Sequence, residues 1–165
     1  MDSTPYAAVV IMVVASILIA YYITMNVMVS DSSNLTDNRI KGYHALLMGF
    51  IMGAIEVTMF MWFTRSLRFI WLLVVLVIIS SIIYYLLRNQ VGIGENDFLL
   101  GMIEHHSMAL LMVDKVQPKT TDPELLQLQK VISTSQTAEI AQMKRMLKER
   151  KVPLISTGIP GLIIG

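Results

Sequence analysis

The sequence predicts an all-α protein with three transmembrane helices followed by an extramembrane antiparallel helical hairpin. Of its 165 residues, 55% are hydrophobic and 15% are charged, and the mean hydropathy is +0.62. That composition is too apolar for a soluble domain of this size. The apolar residues gather into long stretches before Arg88, whereas most charged residues follow it. We therefore expect a transmembrane domain at residues 1–88 and a separate helical domain after it.

Three apolar runs predict the three spans, which we place at about residues 5–29, 42–63 and 69–87. A helix needs roughly 20 apolar residues to cross about 30 Å of hydrocarbon. The first run has no charged residue and no basic start, so we prefer a span to a cleaved signal peptide. The polar segment 30–38 between the first two spans is expected to be a short exposed loop.

The distribution of basic residues predicts the orientation. Arg65 and Arg68 stand without nearby acids between the second and third spans. Short loops rich in lysine and arginine favour the cytoplasmic side. We therefore expect a multi-pass protein of the cytoplasmic membrane, with the domain after Arg88 outside the cytoplasm.

The remaining chain predicts a hairpin at residues 97–151, after a linker at 89–96. Asn96 and Asp97 offer an N-cap for a helix that continues to about Val116. Asp122 followed by Pro123 begins a second helix. Two helices cannot close a core, so we expect the hairpin to pack on a second copy or on the membrane part. The apolar tail at 152–165 suggests no role.

Composition excludes several classes of function. The net charge is +1 with no basic face, which argues against nucleic acid as a partner. The chain has no cysteine, so it has no disulfide, thiolate metal site or cysteine nucleophile. No catalytic triad, phosphate loop or dinucleotide fingerprint is present, and we expect a non-enzyme. Methionine, with 13 residues, is strongly over-represented.

Two histidines and several methionines fall on one face of the first hairpin helix. At 100° per residue these donors share an arc of about 120°, with Met108 just beside it: Met102, His105, His106 and Met112. Gln136, Glu139 and Met143 share a face of the second helix. Imidazole nitrogen and thioether sulfur are donors that soft Cu(I) accepts.

The second span has a stripe of the same residue types. It consists of His44, Met48, Met52, Glu56 and Met59. An ionisable group within a span usually faces the bundle interior and has a function, so Glu56 is not expected to face lipid. The stripe is a candidate extension of the metal site or part of the shell around it.

Packing is the alternative interpretation of these patterns. Methionine is an ordinary core residue, and Glu56 could join helices by a hydrogen bond. Gln136 and Glu139 could be solvated residues of an amphipathic helix. The spacing alone leaves metal binding and packing about equally favoured.

Two motifs in order resemble a known family. The segments are FLLGMIEHH at residues 98–106, with Ala109 and Met112, then DPE at 122–124 and QTAEIAQM at 136–143. They are similar to domain of unknown function 305, a CopM-like, ferritin-like helical domain. The segment YHALLMGFIMGAIE at 43–56 resembles the second span of its membrane-anchored bacterial members. Glu104 departs from the family, which commonly has proline before the histidine pair.

The resemblance implies a protein that binds copper or silver outside the cytoplasm and acts in metal handling or tolerance. It implies Cu(I) or Ag(I) ligands at Met102, His105, His106, Met112 and Met143, with Gln136 and Glu139 as ligands or their supports. A copper-handling protein is a candidate partner for this role. The alternatives are an assembly protein whose methionine-rich helices mediate homo-oligomerisation, and a di-iron enzyme, for which the necessary Glu-x-x-His pairs are missing.

Overall fold

A computed structural model describes residues 5–155 of the chain, and within them it has five α-helices and no strand. Helices α1 (Tyr6–Ile19), α2 (Arg39–Thr64) and α3 (Ile70–Arg88) precede α4 (Glu95–Val116) and α5 (Pro123–Glu149). The all-α fold class is confirmed. The described residues form two compact units, one of residues 5–25 and 39–93 and the other of residues 26–38 and 94–155.

The first unit has three helices long and apolar enough to cross a membrane, which confirms the predicted number of spans. The first comprises α1 and a π-helical turn, Ala20–Thr24, and covers 19 residues in total. The second is α2 with 26 residues, and the third is α3 with 19. The first span ends at Thr24, before the end of the apolar run at residue 29. The helix α2 begins at Arg39, before its apolar run begins.

Small residues allow α1 and α2 to approach closely. Gly49 and Gly53 are buried one turn apart on α2. A Cβ atom added at Gly49 would lie 2.9 Å from the carbonyl oxygen of Val13 and against the side chain of Ile17. One added at Gly53 would lie 2.5 Å from a methyl of Val13. In lipid, where hydrophobic burial does not drive helices together, such close packing stabilises their association.

An apolar cluster joins the three helices of this unit. Phe69, at the start of α3, makes edge-to-face contacts with Tyr6 of α1 and Phe60 of α2, with ring centroids 5.7 and 5.5 Å apart. The buried residues of the cluster are Val9, Val57, Met61, Phe69 and Leu76. The first unit therefore has a packed interior of its own.

The second unit contains the hairpin of α4 and α5. Asp122 caps α5 by accepting hydrogen bonds from the backbone of Glu124 and Leu125, as predicted. At the start of α4 the N-cap is Gly94, and Asp97 accepts a hydrogen bond from its backbone at 3.3 Å. The observed N-cap thus lies two residues before Asn96, the earlier of the two predicted caps. The buried residues of the hairpin core are Leu99, Leu100, Ile103, Ile140, Met143 and Leu147.

The prediction that residues 30–38 form an exposed loop is confirmed for residues 30–33, which are exposed, and is wrong for residues 34–38. Asn34, Thr36 and Asn38 are buried, with Thr36 only 1% exposed. They pack in the second unit, on α4. The polar composition that suggested exposure instead provides hydrogen bonds to buried groups on that helix.

Replacing Gly49 with alanine should lower the free energy of unfolding of the membrane unit by about 1–3 kcal/mol, because the added methyl overpacks the α1–α2 contact. Thermal unfolding in detergent, followed by circular dichroism, measures the effect. Gly42 in the same helix is the matched control, since an added Cβ there meets no atom within 4 Å. Equal stability of the Gly49→Ala and Gly42→Ala variants would contradict this packing.

Candidate metal site of the hairpin

Helix α4 is buried along two of its sides. Ile103 and His106 lie on the side that packs on α5, whereas Glu104 and Ser107 lie on the side covered by residues 30–38. The third side of the helix is exposed. This division decides which of the predicted metal donors lie inside the hairpin.

His106 joins the two helices of the hairpin. Its Nε2 lies 2.5 Å from Oε2 of Glu139, and the histidine is 8% exposed. An ionised carboxylate only accepts hydrogen bonds, so Nε2 carries the proton and donates it. In the neutral ring Nδ1 then has the free lone pair. Nδ1 is buried and has no hydrogen-bond partner within residues 5–155.

The other donors predicted on α5 lie near this pair along the helix. Gln136 precedes Glu139 by three residues and Met143 follows it by four, so the three side chains share a face. The Oε1 atom of Gln136 is buried and has no hydrogen-bond partner among the described residues. Met143 is 8% exposed and belongs to the hairpin core, which half-buried Met102 of α4 also contacts.

The remaining predicted donors of α4 lie on its exposed side. The ring of His105 is exposed, and its centroid is 6.3 Å from that of His106, with the planes at 65°. Met112 is 56% exposed, and Met108 is half-buried. The predicted arc of donors is therefore divided: His106 and Met102 face the hairpin interior, whereas His105 and Met112 face outward.

The donor types limit the metals that this site suits. Across residues 5–155, no three histidine, aspartate or glutamate side chains come together as a group that could hold a metal ion. A metal bound here would need methionine sulfur beside the imidazole. The residues fit a soft monovalent ion, because the orphaned Nδ1 of His106 is an available donor and thioethers occur on both helices.

The stripe of the second span lies on the outer surface of the three-helix unit. His44 is exposed, and Met48 and Met59 are 45% and 49% exposed. Met52 and Glu56 are half-buried. Glu56 has no hydrogen-bond or ion-pair partner among the residues that the structure describes. Within this unit the stripe therefore encloses no site of its own.

Glu104 has a structural role that its sequence position did not reveal. Its side chain is 6% exposed and accepts a hydrogen bond from the backbone N–H of Thr36 at 2.8 Å. The side-chain amide of Asn38 lies 3.4 Å from its second oxygen. A carboxylate that accepts backbone and amide hydrogen bonds can remain buried without a large penalty.

Ser107 extends the same polar contact along α4. Its hydroxyl is fully buried and lies within 3.0 Å of the backbone and hydroxyl of Ser30 and of the side-chain amide of Asn34. Asp31 stabilises the turn in between, where hydrogen bonds from the backbone and hydroxyl of Ser33 lower its pKa. The available sequence signal was the run of capping residues in SDSSNLTDN, together with a glutamate and a serine three positions apart on α4.

Comparison with known proteins identifies a family and a viral relative. Residues 87–153 match the model of a family described as a domain of unknown function, DUF305. The chain is also 33% identical over 147 residues to an uncharacterised protein of Acanthamoeba polyphaga mimivirus, L153, and the match covers 87% of this chain and 93% of the viral protein. No solved structure matches the chain significantly.

Replacing Glu104 with alanine should destabilise the second unit by about 1–3 kcal/mol, because the Thr36 N–H would stay buried without an acceptor. Hydrogen exchange followed by mass spectrometry should show faster exchange in residues 30–38. Asp114, which pairs with Lys115 at the surface, is a matched acidic control, and its replacement by alanine should change stability by less than about 0.5 kcal/mol. Unchanged exchange in the Glu104→Ala variant would refute the role of this carboxylate.

Proposed function

The chain belongs to the family of domain of unknown function 305, and on this premise we propose that it is a membrane-anchored, non-enzymatic protein that binds Cu(I) or Ag(I) through histidine and methionine of the hairpin. His106 is the central ligand in this proposal. The observation that supports it most is the state of its ring: Nε2 is held by Glu139, and Nδ1 is buried without a partner.

This arrangement is typical of a histidine prepared for a metal. Metal-ligating histidines almost always donate the other ring N–H to a carboxylate, carbonyl or water, which fixes the tautomer and raises the basicity of the ligating nitrogen. Glu139 provides that carboxylate from the facing helix. A soft ion bound at Nδ1 would also satisfy this buried acceptor and so remove the free-energy cost of leaving it unpaired.

Methionine would complete the coordination. Met143 of α5 belongs to the hairpin core, and Met102 packs against it from α4, so the two thioethers come from different helices. Gln136 offers the buried Oε1 atom as a further polar group for a ligand or for its support. In this proposal His105 and Met112, on the exposed side of α4, serve to receive the ion from solvent or from a copper-handling partner.

The proposed place of action is the extracytoplasmic side of the cytoplasmic membrane. The basic loop between α2 and α3 supports this orientation, and the monovalent, thiophilic ions concerned would be handled there for storage, transfer or tolerance.

An assembly function is the second candidate. Met143 lies inside an apolar cluster, where packing alone would account for it. In that case the methionines stabilise the hairpin or a homo-oligomer, and metal ions change neither its stability nor its assembly.

A competition titration separates these two functions. We expect the purified protein to take Cu(I) from a colorimetric chelator, and the His106→Ala variant to bind at least about tenfold more weakly. The Glu139→Gln variant should lose about 10- to 100-fold in affinity, since the carboxylate orients the ring. The His105→Ala variant is the matched control, because the neighbouring ring is exposed, and its loss should be smaller.

The double variant His105→Ala, His106→Ala completes this test. Affinity equal to that of the unmodified protein would remove the proposed site and favour packing. Thermal unfolding compared with and without Ag(I) then tests the assembly function, which predicts no change in stability when the ion is added.

The orientation can be tested with single cysteines, because the natural chain has none. Cysteine at Lys130, an exposed residue of α5, should react with a membrane-impermeant maleimide added to intact cells. Cysteine at Ser66, in the loop between α2 and α3, should react only after permeabilisation. The reverse pattern would contradict an extracytoplasmic hairpin.

A further inference from the structure

The outer surface of α2 has a carboxyl group deep in the second span. Glu56 lies within the apolar run 42–63, at about 5 Å from its middle for a rise of 1.5 Å per residue. It is half-buried, beside the face that packs on α1 and α3. The buried positions of that face are Lys41, Ala45, Gly49, Gly53, Val57 and Met61. The glutamate is therefore at the edge of the packed interface, not inside it.

The three helices offer this carboxyl no partner. Among residues 5–155 no hydrogen bond or ion pair reaches it. The sequence has no lysine or arginine within residues 5–29, 42–63 or 69–87, so the basic residues of the membrane unit lie only at the ends of the spans. Ionisable side chains at this depth are costly and almost always face protein or water. This face of α2 therefore needs a cover that can form hydrogen bonds.

We propose that the cover is a second copy of this chain, with the outer faces of two α2 helices in contact and the two Glu56 carboxyl groups hydrogen-bonded to each other. A protonated carboxyl contains one donor and one acceptor, so two of them satisfy each other. A two-fold axis brings the same residue of each copy together. Each copy thus supplies the hydrogen-bonding group that the other needs, whereas a different protein would have to supply its own polar group at the same depth.

The side chains around Glu56 suit such a contact. Met52 and Met59 lie about one turn to either side of Glu56 on the same stripe, Met48 lies one turn beyond Met52, and Met48 and Met59 are exposed in the single chain. Methionine is flexible and polarizable and adapts to irregular helix–helix surfaces. The interface thus combines a central hydrogen-bonded pair with methionine packing. It is independent of the proposed metal site, which belongs to the other unit.

The experiment counts copies in lipid without metal. The protein is labelled at a single cysteine replacing Lys130, reconstituted into phosphatidylcholine–phosphatidylglycerol vesicles with a metal chelator present, and examined by single-molecule photobleaching at decreasing protein-to-lipid ratio. We expect dimers that dissociate on dilution. The Glu56→Leu variant should dimerise about 3- to 30-fold more weakly, the range given by interhelical hydrogen bonds in membranes.

Two further variants make the test specific. Glu56→Gln should keep dimerisation within about threefold, because an amide also contains both a donor and an acceptor. Ser81→Leu replaces an exposed polar residue on α3, whose hydroxyl bonds only the carbonyl of Val77, and should dimerise like the natural protein. A monomeric natural protein at every dilution, or a Glu56→Leu variant that dimerises normally, would overturn the proposal. Neither result would bear on Cu(I) affinity, which is measured separately at His106.

Discussion

The hydrogen bond between His106 and Glu139 is the interaction on which the functional account depends. It joins the two helices of the hairpin and fixes one nitrogen of a buried imidazole as the donor. The other nitrogen is left as an acceptor without a partner. An unsatisfied buried polar group typically costs about 1–3 kcal/mol, so a ligand that binds this nitrogen would remove that cost.

A second constraint keeps α4 in place. One side of the helix packs on α5 and another side packs on the polar segment 26–38. Glu104 and Ser107 form the hydrogen bonds to that segment. The residues of α4 that remain outside both contacts include His105 and Met112. The adjacent histidines therefore have different environments because the helix is buried on two sides and exposed on the third, and their functions should differ accordingly.

Much of this fold could be predicted from residue patterns with strong physical signals. Apolar runs of about 20 residues predicted the number of spans, and Asp122 with Pro123 predicted the start of α5. The burial of residues 34–38 against α4 could not be predicted, because capping residues such as Asn34 and Thr36 suit an exposed turn as well as a buried one. Helical spacing placed His105 and His106 in one arc, but an arc of about 120° is wide enough to cross from a buried side to an exposed side. Whether a residue of the arc is buried or exposed depends on which elements pack against the helix, and the spacing does not show that.

The central claim is that Nδ1 of His106 binds a soft monovalent ion while Nε2 stays bonded to Glu139. The most direct measurement is nitrogen NMR of the protein with ¹⁵N-labelled histidine rings during titration with Ag(I), which is feasible because the chain has three histidines. The account predicts that the Nδ1 resonance of His106 shifts on binding and that its Nε2 resonance remains that of a protonated nitrogen. Saturation with Ag(I) that leaves both His106 resonances unchanged would contradict it.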